Sequence, residues 1–263
     1  MKNVYGGAGY VSSTSSGGTV SGNTVVTIED GGKVTQNVYG GGYGGTVGGS
    51  GDSAKGNTTV TVNGSGSGTS ATDFAAVNVY GGGFINAAGT TTVEGKATVV
   101  INGKVSGNVY GGGCQNSASS TTASAVTGST EVTIASGGVV GSSVSTSGNV
   151  YGGGSGKGST VTGDTKVTVA SNGTVGGSAS NSGNVYGGGF IGATSGTTTV
   201  SGKTTVVING TVKKYVFGGG NQSNTSSSCS AILRTANMAL GDPCKKFISV
   251  CICLLYTSDA ADD

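Results

Sequence analysis

Hydrophobic and polar residues alternate strictly in a five-residue segment that recurs along the chain. In Thr165-Lys166-Val167-Thr168-Val169, the first, third and fifth side chains would share one face of a strand, because successive side chains point to opposite sides. In each copy the third and fifth positions are Val or Ile, so we assign that face to the core. The alternation predicts equivalent strands at 24–28, 58–62, 97–101, 130–134, 165–169 and 204–208.

A second motif lies between these strands. Asn-Val-Tyr-Gly, or a variant of it, begins at residues 3, 37, 78, 108, 149, 184 and 215, so the chain repeats every 30 to 41 residues. Such a period is typical of stacked repeats, in which no unit can bury a core alone. We predict an all-β parallel β-helix (β-solenoid) of about six to seven stacked repeats. One coil per repeat is the preferred arrangement, and two smaller coils is the alternative.

Composition supports many short strands rather than disorder. The chain has 56 Gly but only one Pro, and 9% of its residues are charged. Disordered chains usually combine high charge with few β-branched residues, whereas Val and Thr are abundant here and favour strands. The net charge of +2 gives no basic footprint for nucleic acid, and no apolar run is long enough to span a bilayer. We therefore expect no nucleic-acid partner and no membrane insertion of this segment.

The repeat pattern stops after residue 228. We predict a β-solenoid domain over 1–228, as a truncated fragment, and a disordered non-repeat tail over 229–263. The final residues, Cys253 to Asp263, resemble a translated sequencing adapter, which implies that the tail is frame-shifted or adapter-derived. Four of the five cysteines lie in this tail, so the cysteine count indicates nothing about redox compartment.

The repeats contain no convincing catalytic centre. The chain has no His, and the acidic residues of the repeats fall at different positions of the unit, whereas glycoside hydrolysis needs two carboxylates at one bond. These acidic residues are Glu29, Asp30, Asp52, Asp73, Glu94, Glu131 and Asp164. The glycine runs lack the spacing of phosphate loops and of calcium-binding repeats. We expect no enzyme activity, no cofactor and no metal site.

The stacked register makes a specific prediction about one charged pair. Glu131 and Lys166 occupy the same strand position in adjacent repeats. They should lie one rung apart on the outer face of the solenoid and form an exposed ion pair. Such a pair contributes at most about 1 kcal/mol to stability. Its presence is therefore informative mainly about the register of the strands.

The Tyr of the repeated motif forms the most distinctive column. Its members, which are candidate stacking positions for a ligand or partner, are Tyr39, Tyr80, Tyr110, Tyr151 and Tyr186. Outward rings would form a binding stripe and inward rings a core ladder, and the pattern leaves both open. Phe217 in the last copy keeps the ring and lacks the hydroxyl, which favours a structural role. The Asn before each Tyr could stack its amide between rungs, and the glycines suit a sharp corner or close backbone approach.

The repeated Asn-Val-Tyr-Gly-Gly-Gly, Thr-x-Val-x-Ile and Gly-x-Val segments resemble the Gly-rich arrays of large bacterial surface proteins that are loosely called adhesin-like. The resemblance covers residues 1–228. It implies a structural or adhesive repeat segment of a secreted protein at the cell surface, without catalysis. The expected partners are glycans or surface proteins of a host or environment, and the remaining repeats of the parent chain. The alternative is a carbohydrate-binding or carbohydrate-cleaving β-helix that uses the Tyr column.

Overall fold

The computed structural model describes residues 2–9, 17–49, 56–64, 77–86, 89–116, 123–142, 147–177, 182–191, 197–221, 224–225, 229–233 and 250–251. Within this part of the chain every regular element is a β-strand, and the strands pair in parallel. The protein is therefore an all-β parallel β-solenoid, as the sequence predicts.

Each repeat makes one turn of the solenoid, because each strand pairs with the equivalent strand of the next repeat. Tyr39 is the register partner of Tyr80, for example, and Val60 is that of Val99. One coil per repeat is confirmed. The solenoid has about five turns rather than the expected six to seven. Sheets 1, 3 and 4 contain seven or eight strands, whereas sheet 5 contains four and sheet 2 contains two, so among the described residues fewer turns than motif copies have a strand in every sheet.

Five parallel sheets run along the solenoid axis, and we number them in the order in which one turn of the chain visits them. Sheet 1 contains Val4–Tyr5, Asn37–Tyr39, Asn78–Tyr80, Val109–Tyr110, Val150–Tyr151, Val185–Tyr186, Val216–Phe217 and Val250–Cys251. Sheet 2 contains Phe84–Ile85 and Cys114–Gln115. Sheet 3 contains Thr19–Val20, Thr46–Val47, Thr90–Val93, Ala123–Val126, Ser159–Val161, Thr199–Val200 and Asn224–Thr225. Sheet 4 contains Thr24–Ile28, Thr58–Val62, Ala97–Ile101, Thr130–Ile134, Thr165–Val169, Thr204–Ile208 and Cys229–Leu233. Sheet 5 contains Lys104–Val105, Val139–Val140, Thr174–Val175 and Thr211–Val212.

The main core is built from Val and Ile side chains of sheets 1, 4 and 5. It includes the third and fifth positions of the sheet 4 strands, as the alternation predicts; Val99 and Ile101, for example, are fully buried. A smaller cluster contains Val47, Val93, Ala97, Val126, Val161 and Val200. Because each rung covers the next, stacking buries apolar surface that a single repeat would leave exposed.

The first position of most sheet 4 strands donates a buried hydrogen bond to the glycine corner. Thr58 Oγ1 donates to the carbonyl oxygen of Gly81 at 2.6 Å, and Thr130 Oγ1 donates to that of Gly152 at 2.6 Å. Thr24, Thr165 and Thr204 make the equivalent bond. These bonds satisfy hydroxyl groups that would be costly to bury unpaired, and they connect sheet 4 to the corner that follows sheet 1.

The glycines after each Tyr are required by close contact between turns rather than by unusual backbone angles. Gly111, Gly112 and Gly113 are not among the residues with positive φ. A Cβ added at Gly111 would overlap the carbonyl oxygen of Gly152 in the next turn, and one added at Gly112 would lie 2.7 Å from the backbone nitrogen of Gly154. Adjacent corners therefore touch backbone to backbone. Of the two roles that the sequence left open, close approach is the one observed.

The predicted charged pair is present. Glu131 and Lys166 are register partners in neighbouring strands of sheet 4. Lys166 Nζ lies 3.2 Å from Glu131 Oε1, and Lys96 Nζ lies 2.5 Å from Glu131 Oε2. The side chains are partly exposed, which confirms that this face of sheet 4 points outward. Lys96 extends the predicted pair to three charges.

Backbone pairing continues past residue 228, where the boundary of the repeat domain is predicted. Cys229–Leu233 pairs with Thr204–Ile208 in sheet 4, and Val250–Cys251 pairs with Val216–Phe217 in sheet 1. The other residues of the predicted tail, 229–263, lie outside the described part of the chain. The adapter origin and the disorder of the tail therefore stay predictions.

Candidate functional site

The Tyr rings of successive repeats stack into one continuous ladder. Neighbouring ring centroids are 4.7 to 4.9 Å apart from Tyr5 through to Phe217, and the ring planes are within 10° of parallel. The ladder contains all the candidate stacking residues, Tyr39, Tyr80, Tyr110, Tyr151 and Tyr186. Stacked aromatic pairs contribute about 0.5–1.5 kcal/mol each beyond the burial of their surface, so the ladder binds the turns together.

The ladder lies on the side of sheet 1 that faces away from the main core. Val79 belongs to the main core, whereas Tyr80, which points to the opposite side of the strand, belongs to a separate aromatic cluster. The five candidate rings nevertheless expose only 2–8% of their surface. The column is thus neither an exposed stripe nor part of the central core, but a second buried layer. Rings buried to this extent offer a ligand little surface.

A second column, four residues after each ladder residue from Tyr39 to Phe217, packs over the rings, and we call it the cover column. Its members are Tyr43, Phe84, Cys114, Ser155, Phe190 and Asn221. The Phe84 ring lies 5.2 Å from that of Tyr39, and the Phe190 ring lies 5.4 Å from that of Tyr151. Reasoning from the sequence misses this column because its members differ in chemistry. The constant spacing of four residues is the signal that identifies it.

The Asn two residues before the Tyr forms a ladder of its own. Asn78 Oδ1 accepts a hydrogen bond from the backbone nitrogen of Asn108 at 2.8 Å, and Asn108 Oδ1 accepts one from that of Asn149 at 2.9 Å. Asn184 Nδ2 also donates to Asn149 Oδ1 at 3.0 Å. The predicted stacking of amides between rungs is confirmed. Asn108 Nδ2 donates to the Tyr110 hydroxyl at 3.2 Å, which couples the two ladders.

Burial keeps the Tyr hydroxyl groups protonated. Desolvation raises the pKa of Tyr39, Tyr80 and Tyr151 above its ordinary value. It also raises the pKa of Tyr110, although two side-chain hydrogen bonds act in the opposite direction. A phenol that stays neutral well above physiological pH is a poor base and a poor nucleophile. The chemistry of the ladder is therefore that of packing and hydrogen bonding.

Three of the described acidic residues, Glu29, Glu131 and Asp164, are engaged at separate places. Glu29 accepts a hydrogen bond from a side-chain amide, Asp164 accepts one from a backbone amide, and Glu131 is held by two lysines. Asp52 and Asp73 lie outside the described residues. Among the residues that the structure describes, no three His, Cys, Asp or Glu side chains group closely enough to hold a metal ion.

Comparisons of this chain with protein-family models, with curated proteins and with solved structures find no match. In the described part of the chain, no helix has the length and apolar character needed to cross a membrane. The features that recur at successive rungs of the solenoid are stacked rings, stacked amides and touching glycine corners.

Proposed function

We propose that this chain is a structural and adhesive repeat segment of a secreted bacterial cell-surface protein. The observation that supports the proposal is that successive turns use the same contacts. Ring stacking, amide stacking and Thr-to-Gly hydrogen bonds recur along the axis, so further turns can be added without a new kind of contact. An extensible, laterally hydrogen-bonded array of this kind suits a stalk or a display surface, which needs length and rigidity rather than a catalytic centre.

The likeness of the repeats to adhesin-like arrays supports an extracellular location at the cell surface. The partners that we propose are glycans or surface proteins of a host or environment, together with further repeats of the parent chain. Loops of different length fit between the sheets without disturbing the register of the rungs, since the repeats are 30 to 41 residues apart. Binding specificity can therefore vary on a constant scaffold.

The alternative function is a carbohydrate-binding or carbohydrate-cleaving β-helix that uses the Tyr column. It requires either that the Tyr column is exposed or that acidic residues converge in a groove. The five candidate Tyr residues are each only 2–8% exposed, and Glu29, Glu131 and Asp164 are engaged at separate places. We therefore assign the column a structural role. A glycan array with Tyr110→Ala and Tyr151→Ala variants would test this assignment, because binding that depends on those rings would contradict it.

The surface location can be tested by antibody labelling. Antibodies against the purified chain should label intact cells of the encoding organism, and brief protease treatment of intact cells should remove the signal. Labelling that appears only after permeabilisation would overturn the proposal. The adhesive role predicts that beads coated with the protein are retained on mucin-coated or matrix-coated surfaces more strongly than albumin-coated beads, and equal retention would contradict that role.

A further inference from the structure

The first strand of sheet 4 forms an open edge of the solenoid. Thr24–Ile28 pairs with Thr58–Val62 on one side, and no described strand pairs with its other side. Val25, whose side chain points outward from this strand, is 70% exposed, whereas its register partner Thr59 is partly buried. The backbone of this strand is therefore accessible from one end of the solenoid.

Apolar side chains of the core reach the surface at the same end. Val4 and Val20 are both partly exposed. Their register partners in the next turn, Val38 and Val47, are fully buried. A molecule that covers this end would remove that apolar surface from water, which is favourable.

The hydrogen bonds of the edge strand show which of its backbone groups face outward along the axis. The backbone nitrogen of Thr24 donates to the carbonyl oxygen of Asn57 at 2.9 Å, so this inward-facing position bonds to the next turn. The backbone groups of successive residues in a strand point to opposite edges. The N–H and C=O groups of Val25 and Thr27 therefore point to the open side.

The edge lacks the features that usually prevent strands from pairing. Charged side chains, Pro and bulges protect most natural edge strands. Residues 3–9 and 19–28 contain no Asp, Glu, Lys, Arg or Pro. In the outward column that contains Val25, the charged residues Glu131 and Lys166 lie on interior strands instead. The open edge is thus able to accept another strand.

The same edge of a second copy matches these backbone groups. In an antiparallel pair, directly opposed residues can exchange both of their backbone hydrogen bonds. With Val26 on a two-fold axis, Val25 of each copy lies opposite Thr27 of the other, and both residues direct their backbone groups to the junction. Two-fold contacts of this kind are the commonest in homo-oligomers.

A head-to-tail contact between copies fits the glycine corner less well. A Cβ added at Gly6 would overlap the carbonyl oxygen of Gly40 in the next turn, so a corner that stacks on another must be glycine. At the far end of sheet 1, Val250–Cys251 is followed in the sequence by Ile252. In a head-to-tail contact, a side chain at that position would meet the backbone of Gly6. The two open edges are therefore the better match.

We propose that two copies of this chain associate end to end by antiparallel pairing of their Thr24–Ile28 strands. Sheet 4 then continues from one copy into the other, and the partly exposed Val4 and Val20 are covered at the junction. The proposal goes beyond the proposed function and does not rest on it. It concerns the chain of 263 residues.

Sedimentation velocity over a range of protein concentrations tests the dimer, with a reducing agent present because the chain has five cysteines. The parent chain should show an equilibrium between monomer and dimer. Val25→Lys should raise the Kd of the dimer by about tenfold or more, because it places a charged side chain on each edge. Thr205→Lys is the matched control, since it puts the same side chain in the same outward column on a strand that is paired on both sides. It should dimerise like the parent.

Thermal melts followed by circular dichroism separate loss of pairing from loss of folding. At a concentration where the parent is monomeric, both lysine variants should melt like the parent, because Lys166 already occupies this column. Hydrogen exchange provides a second measurement: the amides of Val25 and Thr27 should exchange more slowly as the parent concentration rises. A monomer at every concentration, assemblies that grow beyond the dimer, or equal weakening by Val25→Lys and Thr205→Lys would overturn the proposal.

Discussion

At the scale of single residues, the corner glycines are set by the space between turns. An added methyl group at Gly111 would meet the backbone of the next turn and would lie 2.9 Å from Thr130 Cβ. At Gly22, which also lacks a positive φ, a Cβ would find no atom within 4 Å. The same residue type is thus indispensable at one position and replaceable at another.

We expect Gly111→Ala to destabilise the protein by about 3 kcal/mol, because the clash is with backbone that both turns need for their pairing. Gly22→Ala should stay within about 0.5 kcal/mol of the parent, since an exposed site tolerates a methyl group. Urea unfolding of the two variants measures the difference. Similar losses of stability in both would contradict the close-approach role of the corner.

Glu131 makes a pH-dependent contribution to the stability of the folded protein. A hydrogen bond from Lys96, together with one from Lys166, lowers the pKa of the Glu131 carboxyl group in the folded protein. The stabilisation should be present above the unfolded pKa of about 4.3 and should disappear as pH falls through the lower, folded value. The melting temperature of the parent chain should exceed that of Glu131→Gln at neutral pH, by an amount worth at most about 1 kcal/mol. A gap that persists at pH values below the folded pKa would rule out this origin.

At the scale of elements, the sheet 4 hydroxyl row has one gap between Thr24 and Thr204. Ala97 occupies the position that holds Thr in the other strands of this part of the sheet, where the hydroxyl donates to the first glycine carbonyl of the corner. We expect Ala97→Thr to stabilise the protein by about 1 kcal/mol by completing the row. Ala97→Val adds the same bulk without a donor and should not stabilise. Equal stabilisation by Val and Thr in chemical denaturation would show that bulk, not the hydrogen bond, is responsible.

The Tyr ladder makes a second prediction about an element. Tyr110→Phe keeps the stacked ring and loses only the hydroxyl, as Phe217 does naturally, so we expect a cost of about 1 kcal/mol. Tyr110→Ala opens a cavity between two stacked rings and should cost about 4 kcal/mol. Equilibrium unfolding compares the two variants. Costs of similar size would mean that the hydroxyl, rather than the ring, is the structural requirement.

At the scale of the whole molecule, the solenoid is a series of equivalent turns, and each contacts only its neighbours. Removal of residues 108–148 deletes one complete turn and joins two rungs with matching columns. We expect this variant to fold, with a reduced unfolding midpoint. Removal of residues 108–128 deletes part of a turn, places a sheet 4 strand where sheet 1 is required, and should prevent folding. Circular dichroism and urea titration distinguish these outcomes, and a folded half-turn deletion would contradict one turn per repeat.

The fold was predictable from the sequence because a parallel stack pairs like with like. The alternation in 165–169 identified the buried face, and the repeat spacing placed Glu131 opposite Lys166. The number of turns was less predictable, since a copy of the motif need not form a strand in every sheet.

The sequence by itself determined the period, the strand alternation and the register, because these depend only on which residues recur and at what spacing. Only the tertiary structure placed the Tyr ring on the outer side of sheet 1 and still buried it, because the cover column that packs over it has no uniform chemistry. It also showed that the corner glycines serve close contact between turns, since that distance depends on atoms of the neighbouring repeat.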